Sequence, residues 1–241
     1  MSTAVLDAPV GNRPLQVMRL HVVNPPLQLL MPWAVLLLSF VVNLLVFSLV
    51  PDSPDDARVS GGLLTIYIFT LVAHLVTMTQ LFPFALSLSV TRRHFYAGSV
   101  AFVVLQSMLQ GLLLTVLAAI ERASDGWGLQ MHFFDLPFLQ SGDWFTRWLI
   151  LTVPFLFFSF VSMAAGTIFK RFGQFGLWTV GLVGLVVGGA AAVLVTWLGA
   201  WGAIGRFFVD TPPLMLFAGY PAILAVLAAG VGWLFLRRAT P

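Results

Sequence analysis

Two sets of polar side chains are spaced so that they could do chemistry inside an otherwise greasy chain. Thr70, His74 and Thr77 recur at i, i+4 and i+7, so they share one face of a helix, with Gln80 close by. Gln106 and Gln110 are one turn apart on a second apolar run, and Asn43 lies in a third. Neutral amides, hydroxyls and an imidazole offer hydrogen bonds without charge. They could line a path for a partly polar substrate, or they could join helices within a bilayer at about 1 kcal/mol per bond.

Other chemistries find no support. There is no GxxxxGK[ST] loop to cradle nucleotide phosphates, no HExxH and no GxSxG. His21, His74, His94 and His132 are far apart, and the chain has no cysteine, so thiolate chemistry and Cys-based metal sites are excluded. No metal or other cofactor is expected in this chain. No carboxylate falls inside an apolar run. Proton- or sodium-coupled carriers usually need intramembrane acids, so a transporter built from this chain would need an outside source of energy.

The third candidate is a polar turn, Thr91-Arg92-Arg93-His94-Phe95-Tyr96. Thr91 could cap a short helix, Arg92 and Arg93 would face water, and Phe95 with Tyr96 would form an aromatic knob. Arg and aromatic residues often anchor interfaces, so this turn could seat a soluble partner. The alternative is a simple positively charged anchor at the membrane surface.

The elements that must hold these residues are long and apolar. The chain of 241 residues is 59% hydrophobic and 9% charged, far from the roughly 25% charged of a soluble domain. Spans are expected at 28–50, 62–90, 97–120, 148–169, 175–200 and 213–236. Each meets the need for about 20 apolar residues across a bilayer core. The expected fold class is therefore an all-α integral membrane protein with six transmembrane helices. Residues 1–26 form a tail and 27–241 a single transmembrane domain. Pro83 and Pro154 should kink the second and fourth spans.

Charge gives the orientation. Arg13, Arg19, Arg92, Arg93, Lys170, Arg171, Arg237 and Arg238 fall on alternate polar stretches, with Asp7 as the sole acid among them. The other stretches hold Asp52, Asp55, Asp56, Glu121, Asp125, Asp135, Asp143 and Asp210. Lys and Arg are retained on the cytoplasmic side, so both termini are expected there. Basic pairs at span ends also argue against a nucleic-acid surface. The tail is polar and proline-rich, so the first apolar run is expected to stay in the membrane. Within it, Leu15, Met18 and Val22 share one face after Asn12 and Pro14, which reads as an amphipathic interfacial helix.

Two further features concern packing. Gly181, Gly184 and Gly188 lie one turn apart in the fifth span and predict close helix contact, within a protomer or between two. The stretch 121–147 carries Trp127, Phe133, Phe134, Phe138, Trp144 and Phe145 among its acids. It reads either as an aromatic belt at the headgroups or as an outer lid.

The segment FPFALSLSVTRRHFYAGS, residues 82–99, resembles the membrane permeases of bacterial type-2 ABC exporters. In these, an (A/G)LxVxRRxFxxG-like segment follows the second of six spans. The interfacial N-terminal helix, the span count and the cytoplasmic ends are similar too. The resemblance implies a permease without catalytic residues of its own, paired as a homodimer or with a related permease in the bacterial cytoplasmic membrane. Two separate ATP-binding subunits, carrying ATP and Mg, would dock on residues 91–98 as a coupling helix. A hydrophobic or amphipathic substrate, such as a drug, peptide or lipid, would be exported. From the residues alone, a structural or regulatory membrane subunit, a small intramembrane enzyme and a secondary carrier remain as other classes.

Overall fold

Each long apolar run is helical in the computed structural model, which describes residues 29–50, 58–140 and 142–237. Of the described residues, 86% are helical. Helix α1 (Met31–Leu49) starts with proline in its first turn, where the missing N–H costs nothing. Helices α2 (Leu64–Ser87) and α3 (Arg92–Ala123) follow, and α4 (Trp144–Trp197) is the longest at 54 residues. A short helix α5 (Trp201–Asp210) leads to a wide turn at Met215–Gly219 and then to α6 (Tyr220–Leu236). Five of these helices are long and apolar enough to cross a bilayer. Their outward flanks are greasy, with Leu185 72% and Trp197 81% exposed, which supports a membrane protein.

Three boundaries differ from expectation. The third span begins at Arg92, so residues 92–98 are the first two turns of α3 and no separate short helix precedes it. The fourth and fifth spans join end to end as α4, broken only at Gly173, where φ is 67° and ψ is −161°. Only glycine reaches that conformation freely, so the break divides α4 into arms 144–172 and 174–197. Residues 201–210, expected to be loop, form α5. The interfacial helix expected in the N-terminal tail, with Arg13 and Arg19, lies outside the described residues. So do Asp52, Asp55, Asp56 and Arg238.

Bundle packing centres on the first arm of α4, which touches α2, α3 and α6. The Tyr67 hydroxyl donates to the Leu151 carbonyl at 3.0 Å, and Ser162 Oγ to the Leu71 carbonyl at 2.6 Å, tying α2 to α4. Backbones approach closely at Gly111, where an added Cβ would overlap the Thr152 side chain. They do so again at Gly166, where it would lie 2.9 Å from Met78 Cβ, and at Gly232, beside the Tyr96 hydroxyl and the Ala164 backbone.

The aromatic stretch after α3 is a folded cap. Its chain reverses through Asp125, Gly126, Trp127 and Gly128, all with positive φ. Phe133 and Phe134 are buried against Phe40 of α1, with ring centroids 5.3 and 5.4 Å apart. Two short parallel strands, β1 (Arg58–Val59) and β2 (Met131–His132), join the first acidic loop to the cap. The Arg58 guanidinium donates to the carbonyls of Phe47, Val50 and Leu129 at 3.0–3.3 Å, so one cation serves the carbonyl end of α1 and the cap together.

Beneath the cap is Glu121, 1% exposed at the end of α3. Its carboxylate accepts from the backbone N–H groups of Phe133, Phe134 and Asp135 at 2.8–3.1 Å and from Trp127 Nε1 at 2.9 Å. Asp135 in turn accepts two bonds from Arg122, each 3.0 Å, and pairs with Arg147 at 3.6 Å. Two carboxylates and two guanidiniums thus balance within one cluster, as burial of charge requires. The next helix is capped by Asp143, which accepts from Thr146 N–H at 2.8 Å. Hydrogen bonds from the Thr146 side chain and backbone hold the Asp143 carboxyl below its ordinary range.

Candidate functional site

A polar seam runs through the middle of the bundle where α2, α3 and the first arm of α4 meet. Thr70 and His74 come from α2 because their spacing turns both inward, and both are buried. Thr70 Oγ1 donates to the Ile66 carbonyl at 2.7 Å, satisfying itself within its own helix. His74 Nδ1 lies 2.8 Å from the Thr70 carbonyl oxygen. A carbonyl only accepts, so Nδ1 carries the hydrogen, and in a neutral ring Nε2 is left as an acceptor. The Gln106 side chain of α3 meets that ring.

Helices α2 and α3 are antiparallel across a four-residue turn, so one step of a turn from His74 to Thr70 matches the step from Gln106 to Gln110. Gln110 is 3% exposed, and neither its Oε1 nor its Nε2 has a hydrogen-bond partner among the described residues. The Thr152 hydroxyl, held against Gly111, and the Ser159 hydroxyl are also buried and unpartnered among them. Buried polar atoms of this kind cost about 1–3 kcal/mol each and are few in folded proteins. Buried polar groups on three packed helices make this seam the candidate site within the bundle. Chemically the seam holds neutral donors and acceptors and no acid, so it can exchange hydrogen bonds with a partly polar guest.

Of the residues singled out in the sequence, the structure brings together Thr70, His74 and Gln106, and Gln110 is buried one turn further along α3. Thr77 lies on the same face, half-buried, with its hydroxyl donating to the Ala73 carbonyl at 2.9 Å. Gln80 is exposed and apart from the seam. Asn43 is elsewhere too: its amide donates to Ser39 O at 2.8 Å and accepts from Ser60 Oγ at 2.7 Å, fastening α1 to the loop before α2. Thr152, held against Gly111 of α3, and Ser159, buried two turns further along α4, were missed. Their signal was present, since Thr152, Ser159 and Gly166 recur every seven residues on one helical face.

At the basic end, α2 and α3 are joined by a tight and well-satisfied turn. Ser89 has φ of 60°, and Val90 N–H and Ser89 N–H return to the carbonyls of Ala85 and Leu86 at 3.1 and 3.0 Å. That is a Schellman closure with serine where glycine is usual. Thr91 then caps α3, accepting from His94 N–H at 3.3 Å, with its Oγ1 also 2.9 Å from His94 Nδ1. The expected aromatic knob is not formed: Phe95 is fully buried against Phe82, and the Tyr96 hydroxyl donates to the Ala229 carbonyl of α6. Helical periodicity turns both rings inward once α3 begins at Arg92. Arg92 is half-buried and reaches the Arg237 carbonyl at 3.1 Å, whereas Arg93 is exposed.

Among the described residues, nothing lies within 4 Å of a Cβ built at Gly181, Gly184 or Gly188. Their close packing within the protomer, one of the two expectations, is not found. Among the described residues no group of three His, Cys, Asp or Glu is placed to hold a metal ion. Comparison with protein-family models, with curated proteins and with solved structures found no match.

Proposed function

We propose that this chain is the permease subunit of an ATP-driven exporter that moves a hydrophobic or amphipathic substrate, such as a drug, peptide or lipid, out of a bacterial cytoplasm. With each arm of α4 counted as one crossing there are six spans, and charge sorting puts both termini in the cytoplasm. The observation that carries the reading is continuity. The same two helices that hold His74 and Gln106 in the seam meet at the Arg92–Arg93 turn. A push on that turn from the cytoplasm moves both walls of a neutral polar seam at once. The seam has no acid of its own, so the push comes from outside, from separate ATP-binding subunits carrying ATP and Mg. Resemblance of residues 82–99 to type-2 ABC permeases points to the same partner. The arm 174–197, exposed along most of its length with its three spaced glycines, is the face for a second copy of the chain.

The test is purification of the tagged chain from its native membrane in mild detergent, with mass spectrometry of stoichiometric partners. A nucleotide-binding ATPase at one copy per chain is the expected result. A homo-oligomer or monomer with no ATPase in any mild detergent overturns the reading.

A further inference from the structure

Beside the cap, a second feature is built for a ligand of different chemistry. An apolar cavity of about 490 Å³ opens between the first turns of α2, the cap segment 136–139, α4 and the turn before α6. Leu63, Tyr67, Leu136, Ile150, Pro154 and Phe158 form its walls, and the exposed side chains of Leu64 and Phe138 stand at its mouth. Its size falls within the range of small-ligand sites, about 300–1,000 Å³.

Polar accounting decides what it can hold. The two polar side chains in the lining are Ser60 and Tyr67. Ser60 Oγ already donates to Asn43 Oδ1 and accepts from Gly62 N–H, and the Tyr67 hydroxyl donates to the Leu151 carbonyl. Neither has a hydrogen left to donate, so a drug or peptide rich in acceptors would lose its hydrogen bonds with water and gain few in return. Hydrocarbon loses nothing, and apolar cavities take up apolar guests.

Depth points to the surrounding lipid as the source of that hydrocarbon. Ile150 and Phe158 lie about 10 and 22 Å along α4 from its Asp143 cap at about 1.5 Å per residue, depths that fall inside a hydrocarbon core of about 30 Å.

We infer that this cavity holds one acyl chain of a membrane phospholipid, inserted between Leu64 and Phe138 under the cap. Assignment to the outer leaflet rests on the orientation proposed above; the chemistry of the pocket does not. The site tethers the cap and the start of α4 to the surrounding lipid.

The wild-type chain in phospholipid nanodiscs is exposed to a phosphatidylcholine carrying a photoreactive diazirine in mid-chain, and labelled peptides are mapped. Label is expected on the peptide containing Ile150, Pro154 and Phe158 in addition to the lipid-bathed arm 174–197. Label on that arm alone overturns the inference. So does an equal yield at Ile150 when Leu64→Trp or Leu139→Trp narrows the cavity in a chain of unchanged melting temperature; the expected drop is at least tenfold. Should both variants misfold, the wild-type map still decides. Label at Ile150 without a co-purifying ATPase would overturn the exporter and leave the pocket standing, and the converse would do the opposite.

Discussion

Replacing Glu121 should release the cap from the bundle without unfolding the bundle. In the native chain this carboxylate takes three consecutive backbone N–H groups and the Trp127 indole, all within 2.8–3.1 Å. Glu121→Ala leaves four buried donors without an acceptor. At about 1–3 kcal/mol each the nominal loss is about 4–12 kcal/mol, more than a surface cap can hold, so residues 124–136 should open to water and recover their hydrogen bonds there. Glu121→Gln is the sharper probe. It keeps one oxygen for the backbone donors but turns an NH₂ towards Trp127 Nε1 and removes the charge. A loss of about 2–3 kcal/mol is expected, from one charge-assisted bond and one donor–donor clash. Hydrogen exchange followed peptide by peptide reads this directly. The amides of Phe133, Phe134 and Asp135 should exchange about 30- to 150-fold faster in Glu121→Gln, at a factor of ten per 1.4 kcal/mol, while peptides of α2 keep their protection. Unchanged exchange at 133–135 would refute the latch, and equal acceleration throughout α2 would refute its local character.

Other outcomes follow from single contacts. Ser159→Ala removes a buried hydroxyl that has no partner among the described residues, so stability should hold or rise by about 1 kcal/mol in thermal melts; on the exporter reading, substrate-stimulated ATP hydrolysis by the complex should fall. Gly111→Ala should lower the melting temperature by several degrees, because the added methyl overlaps Thr152 and overpacking costs about 1–3 kcal/mol. Ser89→Gly should raise stability by about 1 kcal/mol, since glycine adopts the left-handed backbone there without a Cβ penalty; an unchanged denaturation midpoint would contradict the Schellman assignment. Arg93→Glu should uncouple ATP hydrolysis from substrate as fully as Arg92→Glu with Arg93→Glu, because Arg92 is engaged with the Arg237 carbonyl; normal substrate-stimulated hydrolysis in the double variant would sink the coupling role of this turn.

Much of the architecture was legible because a bilayer leaves so few choices. Apolar runs of about 20 residues must be helical there, and the ends of α1, α2 and α6 fall within a few residues of the runs that predict them, apart from the turn that precedes α6. Inward-facing Thr70, His74, Gln106 and Gln110 were legible for a related reason: spacing of three, four and seven residues fixes a shared face before any partner is known. What spacing does not fix is which face meets which helix. Whether Phe95 and Tyr96 point to water or to Phe82 and α6 depends on α3 starting at Arg92, and hence on the backbone closure at Ser89. Asn43 and Gln80 have the same composition-level signal as Gln106, yet α1 lies at the edge of the bundle and Gln80 on an outward face. Thr152 meets α3 only because Gly111 lets α4 come close. The cap lies furthest from sequence reasoning. Its aromatics were visible as a cluster, but a glutamate gathering three backbone N–H groups from residues twelve to fourteen positions onward is a long-range arrangement, decided by how the chain turns at Asp125–Gly128 and by the burial of Phe133 and Phe134 against α1.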